Sequence, residues 1–136
     1  SPAMNLLTAT IEGGDAGLVV TLARPEGAAL KLPVGQSAEA LGKYRDKQVV
    51  FGIRPEALTD PDGADRNART IAEGDCVIEV VEPAGSDTFA ITKLGQKEVV
   101  ARLRADSKIA AGQTARLAFN LDKAVFFDPQ SQKRIA

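Results

Sequence analysis

The stretch VVFGIRPEALTD, Val49 to Asp60, opens as an alternating apolar run and changes character at Arg54-Pro55-Glu56. Val49, Phe51 and Ile53 fall on one side of a strand, with the period of two that a half-buried sheet requires. Pro55 has no amide hydrogen for a sheet ladder and disfavours helical geometry at Arg54, so the strand has to leave its neighbour there. The following PEAL starts a helical turn with proline in its first position, and Ile53 and Leu58 pin the two sides of the corner. Arg54 and Glu56 admit two readings, a charge pair in a cleft or part of a strand terminator. Two residues apart and screened by solvent, such a pair is worth about 0 to 1 kcal/mol, and the structural reading is preferred.

Working outward, the same grammar recurs. LLTATIE (Leu6 to Glu12) and LVVTLA (Leu18 to Ala23) alternate on either side of a glycine-rich turn, a hairpin signal. In AALKLPV, Ala28, Leu30 and Leu32 can share a face, whereas GQSAEALGKYRDK is polar and at best loosely helical. DCVIEVVE (Asp75 to Glu82) reads as one strand, PAGSD as a turn, TFAITKL as a strand, GQK as a tight connection and EVVARL (Glu98 to Leu103) as a further strand. Sliding the C-terminal ARLAFNLDKAVFFD by 68 positions sets Leu117, Phe119 and Leu121 on Val49, Phe51 and Ile53, and Phe126 on Leu58. An internal repeat and a chance recurrence of strand, polar link and apolar anchor both fit that spacing.

Ten or so short strands with little helix predict an all-β fold, a small antiparallel barrel or sandwich, with the OB-type barrel as the natural candidate because closure removes exposed sheet edges. OB barrels that take oligonucleotides stack bases on aromatic residues in a basic groove. This chain has five Phe, one Tyr and no Trp, with 17 basic against 18 acidic residues, so no nucleic-acid partner is expected and contacts with protein are. Val125, Phe126 and Phe127 are consecutive and cannot all enter one core, so at least one reaches the surface or a partner.

Composition excludes other classes. With 136 residues the chain makes one domain with a real core. No histidine is available for a Ser-His triad or a zinc site, and the single Cys76 can form no internal disulfide and reads as a small core residue. No GxxxxGK[ST] loop occurs, and DPDGAD (Asp60 to Asp65) lacks the later oxygen ligands of a calcium loop and reads as a solvated turn. Glu82, Ser86 and Asp87 flank Gly85, which reads as turn chemistry. No apolar run approaches the ~20 residues of a membrane helix, and a cytoplasmic, soluble chain is expected.

Three motifs carry a family resemblance: GIRPEAL (Gly52 to Leu58), VVEPAGSDTF (Val80 to Phe89) and AFNLDKAVFFDPQSQKRI (Ala118 to Ile135). Together they resemble the C-terminal regulatory domain of the ATP-binding subunits of carbohydrate ABC importers, the group of the maltose and glycerol-3-phosphate importer ATPases. The opening SPAMNLL is similar to the family's junction with its nucleotide-binding domain. The resemblance implies a TOBE barrel of OB type over residues 1 to 136, with the nucleotide-binding domain, its Walker and LSGGQ motifs, and hence ATP and Mg2+, outside this chain. It implies no catalysis by the fragment, a homodimer through the regulatory domain, a complex with permease subunits at the cytoplasmic side of the inner membrane, and in some members a cytoplasmic regulatory protein. Structural or interface roles fall on Gly52, Ile53, Arg54, Pro55, Glu56, Glu82, Gly85, Ser86, Asp87, Phe126, Phe127 and Asp128. The chain departs from the family at KAVFFD, where histidine-leucine often precedes the phenylalanine, so no histidine contact carries over. Related TOBE modules bind molybdate, and an oxyanion-sensing barrel using GSDT and GQK is the alternative function.

Overall fold

Alternation turns Asn5, Leu7, Ala9 and Ile11 inward along the first strand, β1 (Asn5–Gly14), of the computed structural model, which describes residues 3–136. β1 pairs antiparallel with β2 (Gly17–Leu22) on one side and β4 (Gln48–Ile53) on the other. β3 (Leu30–Pro33) and β11 (Val125–Phe127) extend this sheet to the order β11-β4-β1-β2-β3. A second sheet has the order β5-β10-β6, with β5 (Leu58–Thr59), β6 (Ile71–Val77) and β10 (Thr114–Asn120). The third is β7-β8-β9, with β7 (Val80–Ala84), β8 (Asp87–Leu94) and β9 (Lys97–Arg104). One apolar core, from Leu7 through Phe51 and Leu94 to Phe126, serves all three sheets, so the all-β class expected from the alternation holds. The polar segment before β4 forms the short α1 (Ala38–Leu41) between single 3-10 turns, as its weak helical pattern suggests.

The strand expected over Asp75 to Glu82 is two strands in different sheets. Ile78 and Glu79 form the break: the Ile78 amide still bonds toward the β10 side, to Gln113 O at 2.9 Å, while the Glu79 amide bonds to Ile91 O of β8 at 2.8 Å. Alternation survives the break, with Cys76 and fully buried Ile78 both inward, so a change of hydrogen-bonding partner leaves no trace in the hydrophobic pattern. The turn read over Pro83 to Asp87 shrinks to Gly85-Ser86, because Ala84 already pairs with Asp87. Ala28 is exposed and precedes β3, leaving Leu30 and Leu32 to share the inward face.

The pairing of the two halves is reciprocal. β4 turns through a 3-10 segment (Pro55–Ala57) into β5, and β10 turns through another (Leu121–Lys123) into β11. β4 pairs with β11, setting Phe51 opposite Phe126, and β10 pairs with β5, setting Phe119 opposite Leu58. These two pairs interchange under the 68-residue slide, so each half completes the other's sheet. The β8-β9 hairpin folds back on β1: Gly95 and Gln96 both have left-handed φ (56° and 66°), the requirement of a two-residue I′ turn. A Cβ on Gly95 would lie 2.9 Å from Thr8 O, and its amide reaches Ala23 O at 2.8 Å.

Candidate interaction surface

The corner after β4 is built as its sequence dictates. Arg54 is extended (φ −76°, ψ 151°), Pro55 occupies the first position of the 3-10 turn, and the Ala57 amide closes it on Arg54 O at 2.9 Å. Ile53 and Leu58 are fully buried on either side, while Arg54 and Glu56 point to solvent and form no ion pair among the described residues. Gly52 faces the other side of the sheet, between Leu6 of β1 and Val125 of β11. A Cβ there would come within 2.8 Å of both Met4 Sδ and Val125 Cγ2. Glycine therefore lets Met4, Leu6 and Val125 close over the sheet, and with Val50 and Phe127 they make an apolar stripe across three strands.

That stripe is open to solvent. Leu6 is 45% exposed, Val125 and Phe127 are half-buried, and Phe126 between them is fully buried. Leu6, Val50 and Phe127 also wall a groove of about 430 Å³ whose rim carries Lys97, Asp128 and Gln132. Asp128 holds the end of the stripe in shape: its carboxylate accepts the Gln130 and Ser131 amides at 2.8 and 2.9 Å and the Tyr44 hydroxyl at 2.7 Å. The Ser131 amide, then Tyr44 and Gln130, hold this carboxyl down to about 2, and the same bond raises the Tyr44 phenol. Beyond it the chain returns along β11, with Phe126 donating to Ala136 O at 2.9 Å and Ile135 donating to Phe126 O at 2.7 Å.

Residues 51–127 match the family model of the TOBE domain, and residues 1–58 that of the MalK OB fold domain. The chain belongs to the TOBE domain family. It is similar over 99% of its length to two ATP-binding proteins: the sn-glycerol-3-phosphate import ATP-binding protein UgpC of Cupriavidus necator, at 35% identity, and the multiple sugar-binding transport ATP-binding protein MsmK of Streptococcus mutans, at 33%. It covers 35% and 34% of those proteins, so it spans about a third of the length of these curated relatives. Among solved structures, the cytoplasmic molybdate-binding protein ModG superposes with a TM-score of 0.54 at 18% identity, covering 92% of this chain and 96% of that one. At that identity the likeness establishes the shared OB/TOBE fold.

The TOBE domain brings some of the expected motif residues together and keeps others apart. Gly52 lies opposite Val125 and Phe126 opposite Phe51 in the β4-β11 pairing, but its antiparallel register carries Arg54, Pro55 and Glu56 off one end and Phe127 and Asp128 toward the other. Glu82 to Asp87 belong to the β7-β8 hairpin of another sheet. There Gly85 takes φ 73° with open space around it, Ser86 completes the loop, and Asp87 reaches Arg102 at 3.3 Å. Pro83, next to the closing pair Ala84-Asp87, turns its missing donor toward the free edge of β7 and blunts that edge against pairing. The GSDT and GQK segments lie at opposite ends of β8, roughly 23 Å apart at ~3.3 Å per residue, and form no common anion site within one chain. Cys76 is buried as expected, and desolvation pushes its thiol up to about 11.

Among the buried polar residues that escaped the sequence reading, Asn5 and Asp60 tie distant strands together. Asn5, 7% exposed, pairs its side-chain amide with the backbone of Val100, donating to the carbonyl and accepting from the amide at 2.9 Å each. The signal was present as a polar residue at an inward position of an alternating strand. Asp60, expected in a solvated turn, is 5% exposed and accepts Arg104 Nε and Nη2 at 2.9 and 2.8 Å and the Arg104 amide at 3.2 Å. No local pattern marks it, because its partner arrives from β9. No group of three His, Cys, Asp or Glu side chains converges on a common point among the described residues.

Proposed function

We propose that this TOBE domain is the regulatory and dimerisation domain of the ATP-binding subunit of a sugar ABC importer, holding two ATPase subunits together during ATP-driven uptake. Similarity over nearly the whole chain to import ATP-binding proteins supports the importer reading. The pairing rests on one observation, the apolar stripe of Leu6, Val50, Val125 and Phe127 left open on a strongly built sheet. A twofold axis through the stripe is self-complementary and closes at two copies. On this reading the domain itself does no chemistry on ATP. The sequence has no GxxxxGK[ST] loop and no ligand set converges among the described residues, so on this reading ATP and Mg2+ belong to a nucleotide-binding domain N-terminal to residue 1. The parent subunit then sits at the cytoplasmic side of the inner membrane through permease subunits, with a cytoplasmic regulatory protein as a further partner and no nucleic acid. No helix among the described residues is long and apolar enough to cross a membrane.

Sedimentation velocity over a concentration series tests the pairing. The expected result is a monomer-dimer equilibrium that Leu6→Glu shifts to monomer while the circular dichroism spectrum is unchanged. A chain that stays monomeric up to about 1 mM would show that the contact is not intrinsic to this domain.

A further inference from the structure

Basic residues collect at one end of the domain. Lys43, Arg45 and Lys47 lie in the turn before β4, and Lys133 and Arg134 lie in the segment that returns along β11, where Arg134 bridges to Phe127. The whole chain has a net charge of −1, and the fold brings these two short basic clusters of the sequence to the same end. Two adjoining clefts share Lys43, Tyr44 and Asp128 as walls. The larger, about 770 Å³, adds Lys47, Gln48 and Gln130, and the smaller, about 300 Å³, adds Lys133 and Arg134.

Two of the five cations are occupied. Arg45 lays its guanidinium over Gly13, and Arg134 Nε donates to Ala136 O at 3.1 Å. Lys43, Lys47 and Lys133 form no ion pair among the described residues, and Lys43 sits 6.0 Å from the Tyr44 ring centre. The single acid in either cleft, Asp128, already accepts two backbone amides and the Tyr44 hydroxyl. Asp46, in the same turn, lines neither cleft.

From this arrangement we infer that the larger cleft binds a small phosphate-bearing ligand, either free phosphate or a phosphate monoester of a sugar or polyol. A phosphate monoester carries about −1.5 to −2 charges at pH 7 and three strong acceptor oxygens, which suits two unpaired lysines on a fixed turn. Gln48 and Gln130 offer both donors and acceptors to hydroxyl groups, and the cleft is within the ~300–1,000 Å³ of small-molecule sites. A single carboxylate would leave one lysine uncompensated, and a nucleic acid would meet only one aromatic ring for stacking.

The test is a titration of the 15N-labelled 136-residue chain with glucose 6-phosphate, inorganic phosphate and glucose at constant ionic strength, followed by amide chemical shifts. Saturable shifts are expected at Lys43 to Gln48 and Asp128 to Lys133 with the phosphate-bearing ligands, and none with glucose. Tighter binding of glucose 6-phosphate identifies an ester as the ligand, and equal binding identifies free phosphate. The double variant Lys43→Gln, Lys47→Gln should weaken binding at least about tenfold, whereas Lys31→Gln on β3 leaves it unchanged. No saturable shift up to about 10 mM, or the same affinity in the double variant, overturns the inference. Either result leaves the importer reading untouched, because that reading rests on similarity over nearly the whole chain and its pairing on the apolar Leu6-Phe127 stripe, not on this cleft.

Discussion

Phe51 and Phe126 meet with ring centroids 5.4 Å apart and planes inclined at 55°. They sit opposite each other in the β4-β11 pairing, and both are fully buried. Each belongs to a different half of the chain, so this contact is where the two strand-turn-strand units lock. Phe51→Ala and Phe126→Ala should each destabilise by about 3–5 kcal/mol through the cavity left behind. A double-mutant cycle in urea should return a coupling of about 0.5–1.5 kcal/mol for the tilted ring pair. Additive losses would mean that the rings only fill space.

Asn5 supplies the only side-chain amide that pairs with a backbone amide across two sheets among the described residues. Replacing it with Ala leaves the half-buried Val100 amide and carbonyl without their partner, at up to about 1–3 kcal/mol for each unsatisfied group. Asn5→Ala should therefore lower stability and speed hydrogen exchange along β9 more than along β2. Uniform acceleration over both strands would show that Asn5 does not anchor the third sheet.

Acid should unfold the domain in a defined window. Burial alone would raise the Asp60 carboxyl, but the Arg104 amide and guanidinium, with Thr59, outweigh it and hold it below its ordinary value. Asp128 is held at about 2, and Glu12 is lowered by the Thr21 hydroxyl and Lys31. A carboxyl with a depressed folded value contributes stability that is complete above its unfolded pKa of ~3.9 and is lost as pH falls through the folded value. Urea midpoints should thus be level above about pH 5 and fall between about pH 4 and pH 2. Asp60→Asn should be less stable at neutral pH and decline less steeply in acid. An unchanged acid slope in that variant would remove Asp60 from the account.

Two glycines with positive φ separate backbone strain from crowding. Gly85 (φ 73°) has nothing within 4 Å of an added Cβ, whereas Gly95 (φ 56°) would press one against Thr8 O at 2.9 Å. Gly85→Ala should cost about 1–2 kcal/mol for the left-handed conformation alone. Gly95→Ala should cost more, because the neighbour is backbone and cannot turn away. Equal losses in thermal denaturation would show that the β8-β9 tip moves off β1 without penalty.

Much of this protein was legible in its residues. Alternation marks the strands, because a sheet with one buried face imposes a period of two, and Pro55 fixes the corner after Ile53 by what its ring removes from the backbone. Gly52 was legible as a motif position but not for its reason, which is that Met4 and Val125 approach from segments far away in sequence and leave no room for a Cβ. The division at Ile78 was hidden because burial alternation continues while the hydrogen-bonding partner changes. Asp60 looked like turn chemistry until β9 delivered Arg104 to it. The 68-residue spacing left repeat and coincidence equally open. Only the register shows how the halves meet, since Phe51 opposite Phe126 and Phe119 opposite Leu58 are contacts made across halves, and one-dimensional periodicity carries no information about which strand becomes whose neighbour.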